Sequence, residues 1–259
     1  MDNRSNRSRR GVLASLMAAV ALPASAQRPP SLGTTEAVSI SLAEFGVSSG
    51  RLALPLKIPA PGILIVHDGF GATAEMQRLA QLMAFEGFPT VAIDLFRGKT
   101  ATSDAEAAQL ARTALDAVAA RRLIAMWADW LRSRPYCDRR MAAVAFGPSA
   151  PWLMGAGLDT SITPMVYYYG RVVPTEDELR RLPTRALAHF ADRDKIASPA
   201  VRADFERRMT RGGKFVTIHG YSGGAGFANP LSKAYDKADA ALAWIRTTMH
   251  LRETLGVRL

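Results

Sequence analysis

Six apolar runs recur along this chain, at residues 62–67, 89–94, 141–146, 165–169, 185–190 and 214–219, with stretches of helical periodicity between them. Most of the runs are nearly continuous rather than alternating. That is the pattern of a strand covered on both faces. Strands of this kind alternating with helices predict an α/β protein, a mostly parallel twisted sheet with helices on both faces.

The helical stretches are readable in the same way. Met76, Leu79, Ala80 and Met83 share one helix face. Residues 103–131 are Ala-rich and predict a helix broken near Val118 or Ala119, and further helices are expected at 175–181, 199–211 and 231–249. Residues 38–42 alternate like an antiparallel edge strand. Residues 52–58 are its expected partner, with Pro55 holding them to the edge of the sheet.

The first 26 residues read as an export signal. Arg4, Arg7, Arg9 and Arg10 form a basic start, residues 11–22 are apolar, and Ala24-Ser25-Ala26 is a small-residue cleavage site. The apolar stretch is too short to span a bilayer. Arg9-Arg10 followed by Gly11-Val12-Leu13 is similar to a twin-arginine signal, with Val12 and Ala14 departing from the usual pattern; a general secretory signal is the alternative. The expectation is a periplasmic or secreted protein. It would have a linker at 27–36, one globular unit at 37–250 and a tail at 251–259.

The formal net charge of +10 falls to +7 without that segment, since four Arg and one Asp leave with it. The remaining basic residues are scattered and do not interleave with aromatics, so nothing points to nucleic acid. No metal-binding spacing occurs and no cofactor is expected. The lone Cys137 excludes an internal disulfide. No protein partner is indicated.

The run at 141–146 leads through Gly147-Pro148-Ser149-Ala150 into a helical segment, a strand–turn–helix unit. With it stand His67-Asp68-Gly69-Phe70-Gly71, residues 86–96, Tyr168-Tyr169-Gly170, residues 189–194 and residues 221–230. In this order and spacing the chain resembles the dienelactone hydrolase family of the α/β-hydrolase superfamily, over residues 37–249. The resemblance implies an α/β-hydrolase fold and a Cys-His-Asp triad, with the thiolate lifted above the sheet on a sharp turn. The nucleophile position falls on Gly147 and the base position on Ala225, while the acid is retained as Asp194. One oxyanion donor comes from the loop at Gly69. The other belongs to the residue after the nucleophile, here Pro148, which has no N–H. The resemblance also implies that Asp68 stands where an acidic residue controls the thiol. Arg97 would be an anion contact and Tyr168 a pocket residue.

Two substitutes for the missing groups are open. Ser149 is either a displaced nucleophile or the N-cap of the following helix. His219 is either a stand-in base or a structural strand-end histidine. The expectation is an exported protein that has lost ester and lactone hydrolysis and binds a small anionic ligand in the family pocket. The alternatives are a hydrolase relocated to Ser149, His219 and Asp194, and a structural or partner-binding protein.

Overall fold

The computed structural model describes residues 33–43, 46–114, 116–158, 160, 162–182 and 185–257. The predicted export signal and residues 27–32 of the predicted linker lie outside them. Eight strands form one sheet: β1 (Glu36–Leu42), β2 (Gly46–Ala53), β3 (Ala60–Val66), β4 (Thr90–Ile93), β5 (Cys137–Phe146), β6 (Ile162–Tyr168), β7 (Arg185–Ala191) and β8 (Phe215–Tyr221). Their order is β1-β2-β4-β3-β5-β6-β7-β8. β1, β2 and β4 pair antiparallel, and every pairing from β4 through β3 to β8 is parallel.

The helices are α1 (Ala74–Phe85), α2 (Asp104–Thr113), α3 (Ala117–Arg132), α4 (Ala150–Gly157), α5 (Glu176–Arg181), α6 (Pro199–Arg211) and α7 (Lys237–Leu255). On one face of the sheet Ile63, Ile65, Val144, Val166 and Leu187 pack against α1 and α7. On the other, Leu64, Val66, Ala143, Tyr167 and Ala188 meet α3, α4 and α6. This two-sided cover is why β3 reads as an unbroken apolar run: Ile63, Leu64, Ile65 and Val66 are all at most 1% exposed. Each such side chain contributes roughly 1.5–3 kcal/mol.

Three local expectations are corrected. The partner of β1 is β2, which ends at Ala53 before Pro55 and lies inside the sheet between β1 and β4. The break between α2 and α3 falls before Ala117, because the Asp116 carboxylate accepts hydrogen bonds from the Val118 and Ala119 N–H groups and starts α3 there. α7 starts at Lys237, where Asp236 caps it, and runs to Leu255, where Gly256 closes it at a φ of 64°. Residues 251–255 are therefore not a tail, and Leu251 and Leu255 are buried.

Candidate functional site

The parallel strands all end on one edge of the sheet, which gathers residues far apart in sequence. Asp68 follows β3, Gly147 follows β5, Tyr169 follows β6, Asp194 lies beyond β7, and residues 222–229 form the loop beyond β8.

The sharp turn is built as the strand–turn–helix pattern requires. Gly147 has a φ of +54°, the left-handed region that a side chain strains to adopt. A Cβ placed there would sit 3.4 Å from Asp68 Cβ and 3.8 Å from the Tyr169 ring, which is ordinary contact. A Cβ is therefore tolerated sterically at this position, and the backbone conformation is what favours glycine. Gly170 passes so close to the Gly147 carbonyl and the Ala150 Cβ that no side chain fits at 170. Pro148 occupies a 3-10 turn before α4, where its missing N–H costs the helix nothing. The Gly69 N–H makes no hydrogen bond among the described residues. The α2 backbone leans over that loop, its Ala107 carbonyl only 2.6 Å from where a Gly69 Cβ would lie.

Asp68 is buried beside the vacant position. Its Oδ1 accepts the Phe70 N–H at 3.0 Å and its Oδ2 accepts an Asn229 Nδ2–H at 2.8 Å. Burial raises its pKa, and those two hydrogen bonds partly oppose the rise. Asn229 is itself held, its Oδ1 accepting the Leu231 N–H at 2.9 Å. The Tyr169 hydroxyl is buried beside the Asp68 carboxylate; burial first, and the neighbouring Asp68 charge second, push its pKa well up.

Asp194 is 5% exposed. Its Oδ1 accepts the N–H groups of Ile196 at 2.7 Å and Ala197 at 3.0 Å, shaping the loop after β7. Its Oδ2 is buried with no partner. Ala225 is exposed and offers no base. A buried carboxylate oxygen without a donor is costly. Here it is the oxygen left over after the backbone has used the other.

The substitute residues are not assembled. Ser149 is fully buried, and its hydroxyl donates to the His67 carbonyl at 2.5 Å. It stands at the N-cap position of α4, as one of its two readings expects, but its side chain makes no cap hydrogen bond. The hydroxyl is instead taken up by the carbonyl of His67, just past the end of β3. His219 pairs in register with His189, and the two rings stack at 5.9 Å. No interaction joins it to Asp194 or Ser149. His67 is structural: its Nδ1 bonds the Asp68 carbonyl at 2.7 Å and its Nε2 accepts the Leu95 N–H at 3.0 Å.

Of the two expected ligand contacts, one is exposed and the other is buried. Arg97 is exposed and takes a φ of 55° in a turn held by Asp94, whose carboxylate accepts the Phe96 and Gly98 N–H groups. Tyr168 faces α7, with its hydroxyl 2.7 Å from Thr247 Oγ1. Adjacent strand residues point to opposite faces, so Tyr167 goes to the other core and Tyr169, past the strand end, is the tyrosine that reaches the turn. Tyr169 stands in one of the segments that carry the family resemblance; Asn229 was not singled out within its own. The only signal for Asn229 was its place before Pro230 in the loop after β8.

The comparisons with known proteins agree with this architecture. The chain is 26% identical over 236 residues to a carboxymethylenebutenolidase of Pseudomonas putida, covering 81% of this chain and 92% of that one. It is 23% identical over 218 residues to Protein usf of Aquifex pyrophilus, covering 80% and 93%. A dienelactone hydrolase-like promiscuous phosphotriesterase from metagenomic libraries superposes with a TM-score of 0.75 at 19% identity, over 86% of this chain and all of that one. Dienelactone hydrolase from Anabaena variabilis does so with a TM-score of 0.65 at 19% identity, over 86% and 99%. The model of the dienelactone hydrolase family matches residues 49–255. With that match on a sheet of this order, the chain belongs to the dienelactone hydrolase family.

Proposed function

We propose that this chain is an exported member of its family that no longer hydrolyses esters or lactones and instead binds a small molecule. The observation that carries the loss is the bare turn. Gly147 keeps the left-handed backbone of the nucleophile position without a side chain, although a Cβ there would make only ordinary contacts, while the acid at Asp194 has an oxygen with no partner. Ala225 leaves no base, and Pro148 removes an oxyanion donor whose absence alone costs about a hundredfold to a thousandfold in rate. Relocated catalysis has little support, since the Ser149 hydroxyl is buried and committed to a carbonyl.

The test is hydrolysis of p-nitrophenyl acetate by the purified protein beside Ser149→Ala and Asp194→Ala. Rates equal to buffer for all three are expected. Turnover in the native protein that both variants abolish would sink the reading. Ser149→Ala is expected to lower stability by about 1–2 kcal/mol, because it strands the His67 carbonyl, and urea unfolding reads that separately. Export rests on the N-terminal segment. It is expected to fail when Arg9 and Arg10 are both changed to Lys if the twin-arginine route is used, which cell fractionation would measure.

A further inference from the structure

A cleft of about 240 Å³ opens between α1 and α7, on the face of the sheet away from α3 and α4. Its floor is Phe146 and Tyr168, whose rings stack at 4.5 Å. These are the residues immediately before the turn glycine and before Tyr169, so the cleft lies next to the vacant site without being part of it. Leu79 and Leu82 of α1 form one wall and Trp244 of α7 the other. Three donors stand along it unused: the Trp244 indole N–H, the Tyr235 hydroxyl and the Lys237 ammonium have no hydrogen-bond or ion-pair partner among the described residues. Arg78 adds a guanidinium already paired with Glu75 at 2.8 Å. No residue lining the cleft is acidic.

Flat apolar walls with spare donors and a cationic rim are complementary to a ring that carries negative charge. At about 30 Å³ for each water-sized position, the volume holds roughly eight non-hydrogen atoms. We propose that this cleft is a binding site for a small aromatic carboxylate, its ring between the leucines and Trp244 and its carboxylate at Lys237. This deepens the binding half of the proposed function, and it does not depend on the loss of hydrolysis.

Benzoate is the probe. Calorimetric titration of the purified protein should show saturable binding to one site. Benzamide, which keeps the ring and loses the charge, should bind about tenfold more weakly. Lys237→Ala should weaken benzoate by a similar factor. Ala241→Phe, at an exposed position of α7, should remove binding by filling the cleft. Gly147→Ala places a methyl group at the turn and should leave benzoate binding as it is. The proposal is overturned by an absence of saturable binding, or by binding that Ala241→Phe leaves unchanged. Loss of binding in Gly147→Ala alone would also overturn it, moving the ligand to the turn and leaving the proposed loss of hydrolysis intact.

Discussion

Two groups of buried polar residues lie close together on the same strands, one complete and the other not. Beneath α7, Arg246 donates to the Tyr221 hydroxyl at 3.1 Å, and that hydroxyl lies 2.9 Å from His189 Nδ1. His189 Nε2 lies 2.9 Å from Thr247 Oγ1, which is 2.7 Å from the Tyr168 hydroxyl. A neutral imidazole satisfies every link: Tyr221 donates to Nδ1, and Nε2–H donates to Thr247. At the turn beside it, the Gly69 N–H and Asp194 Oδ2 have no partners among the described residues. Buried polar groups in a fold are nearly always bonded. Some of the exceptions lie on the edge of the sheet where the strands end, whereas the saturated network holds β6, β7 and β8 to α7.

That contrast breaks first at His189. His189→Ala leaves a cavity and strands the Tyr221 and Thr247 hydroxyls, and it is expected to cost about 3 kcal/mol of unfolding free energy in urea. A loss under 1 kcal/mol would mean that the network does not hold the sheet to α7.

Acid sharpens the same point. Burial holds the His189 pKa well below its usual value, and burial lowers that of His67 too. The unfolded chain takes up these protons near pH 6.5, before the folded one does. Stability contributed by the neutral rings is therefore present above pH 6.5 and lost as pH falls below it, by about 1.4 kcal/mol per pH unit for each ring. In a His189→Gln variant that slope should fall, while His67, His219 and His250, whose pKa values burial also lowers, keep their share. An unchanged slope would place the titration elsewhere.

The smallest expected effect is at the incomplete cluster. Asp194→Asn keeps an acceptor for the Ile196 and Ala197 N–H groups, removes the buried charge and puts an amide NH2 where the oxygen has no partner. Stability is expected to move by less than about 0.5 kcal/mol. A loss of 2 kcal/mol or more would show that Oδ2 has a partner in solution, and the two clusters would then differ less than the structure indicates.

Most of the fold was legible in the sequence, and the errors have local causes. The antiparallel partner of β1 was placed too late because Leu52 and Ala53 continue into an apolar segment that no longer pairs. α7 was placed too early because residues 231–236 carry helical periodicity while folding as turns, with Ser232 bonded to Asp104 at 2.9 Å. The candidate site was legible where it depended on residue type and order. It was not where it depended on approach: Ser149 looked like a cap because its carbonyl partner, His67, is 82 residues away.

The sequence by itself determined the order of strands and helices, because cover on both faces of a sheet requires continuous apolar runs. It also determined that position 147 has no side chain and position 148 no N–H, since these are covalent facts that no packing can alter. Tertiary structure decided the rest. It turned the Ser149 hydroxyl inward, brought Tyr169 rather than Tyr168 to the turn, joined Asn229 to Asp68 across 161 residues and opened the cleft between α1 and α7. Those outcomes depend on which elements the sheet brings within hydrogen-bonding distance, and a one-dimensional pattern carries no distance between residues so far apart.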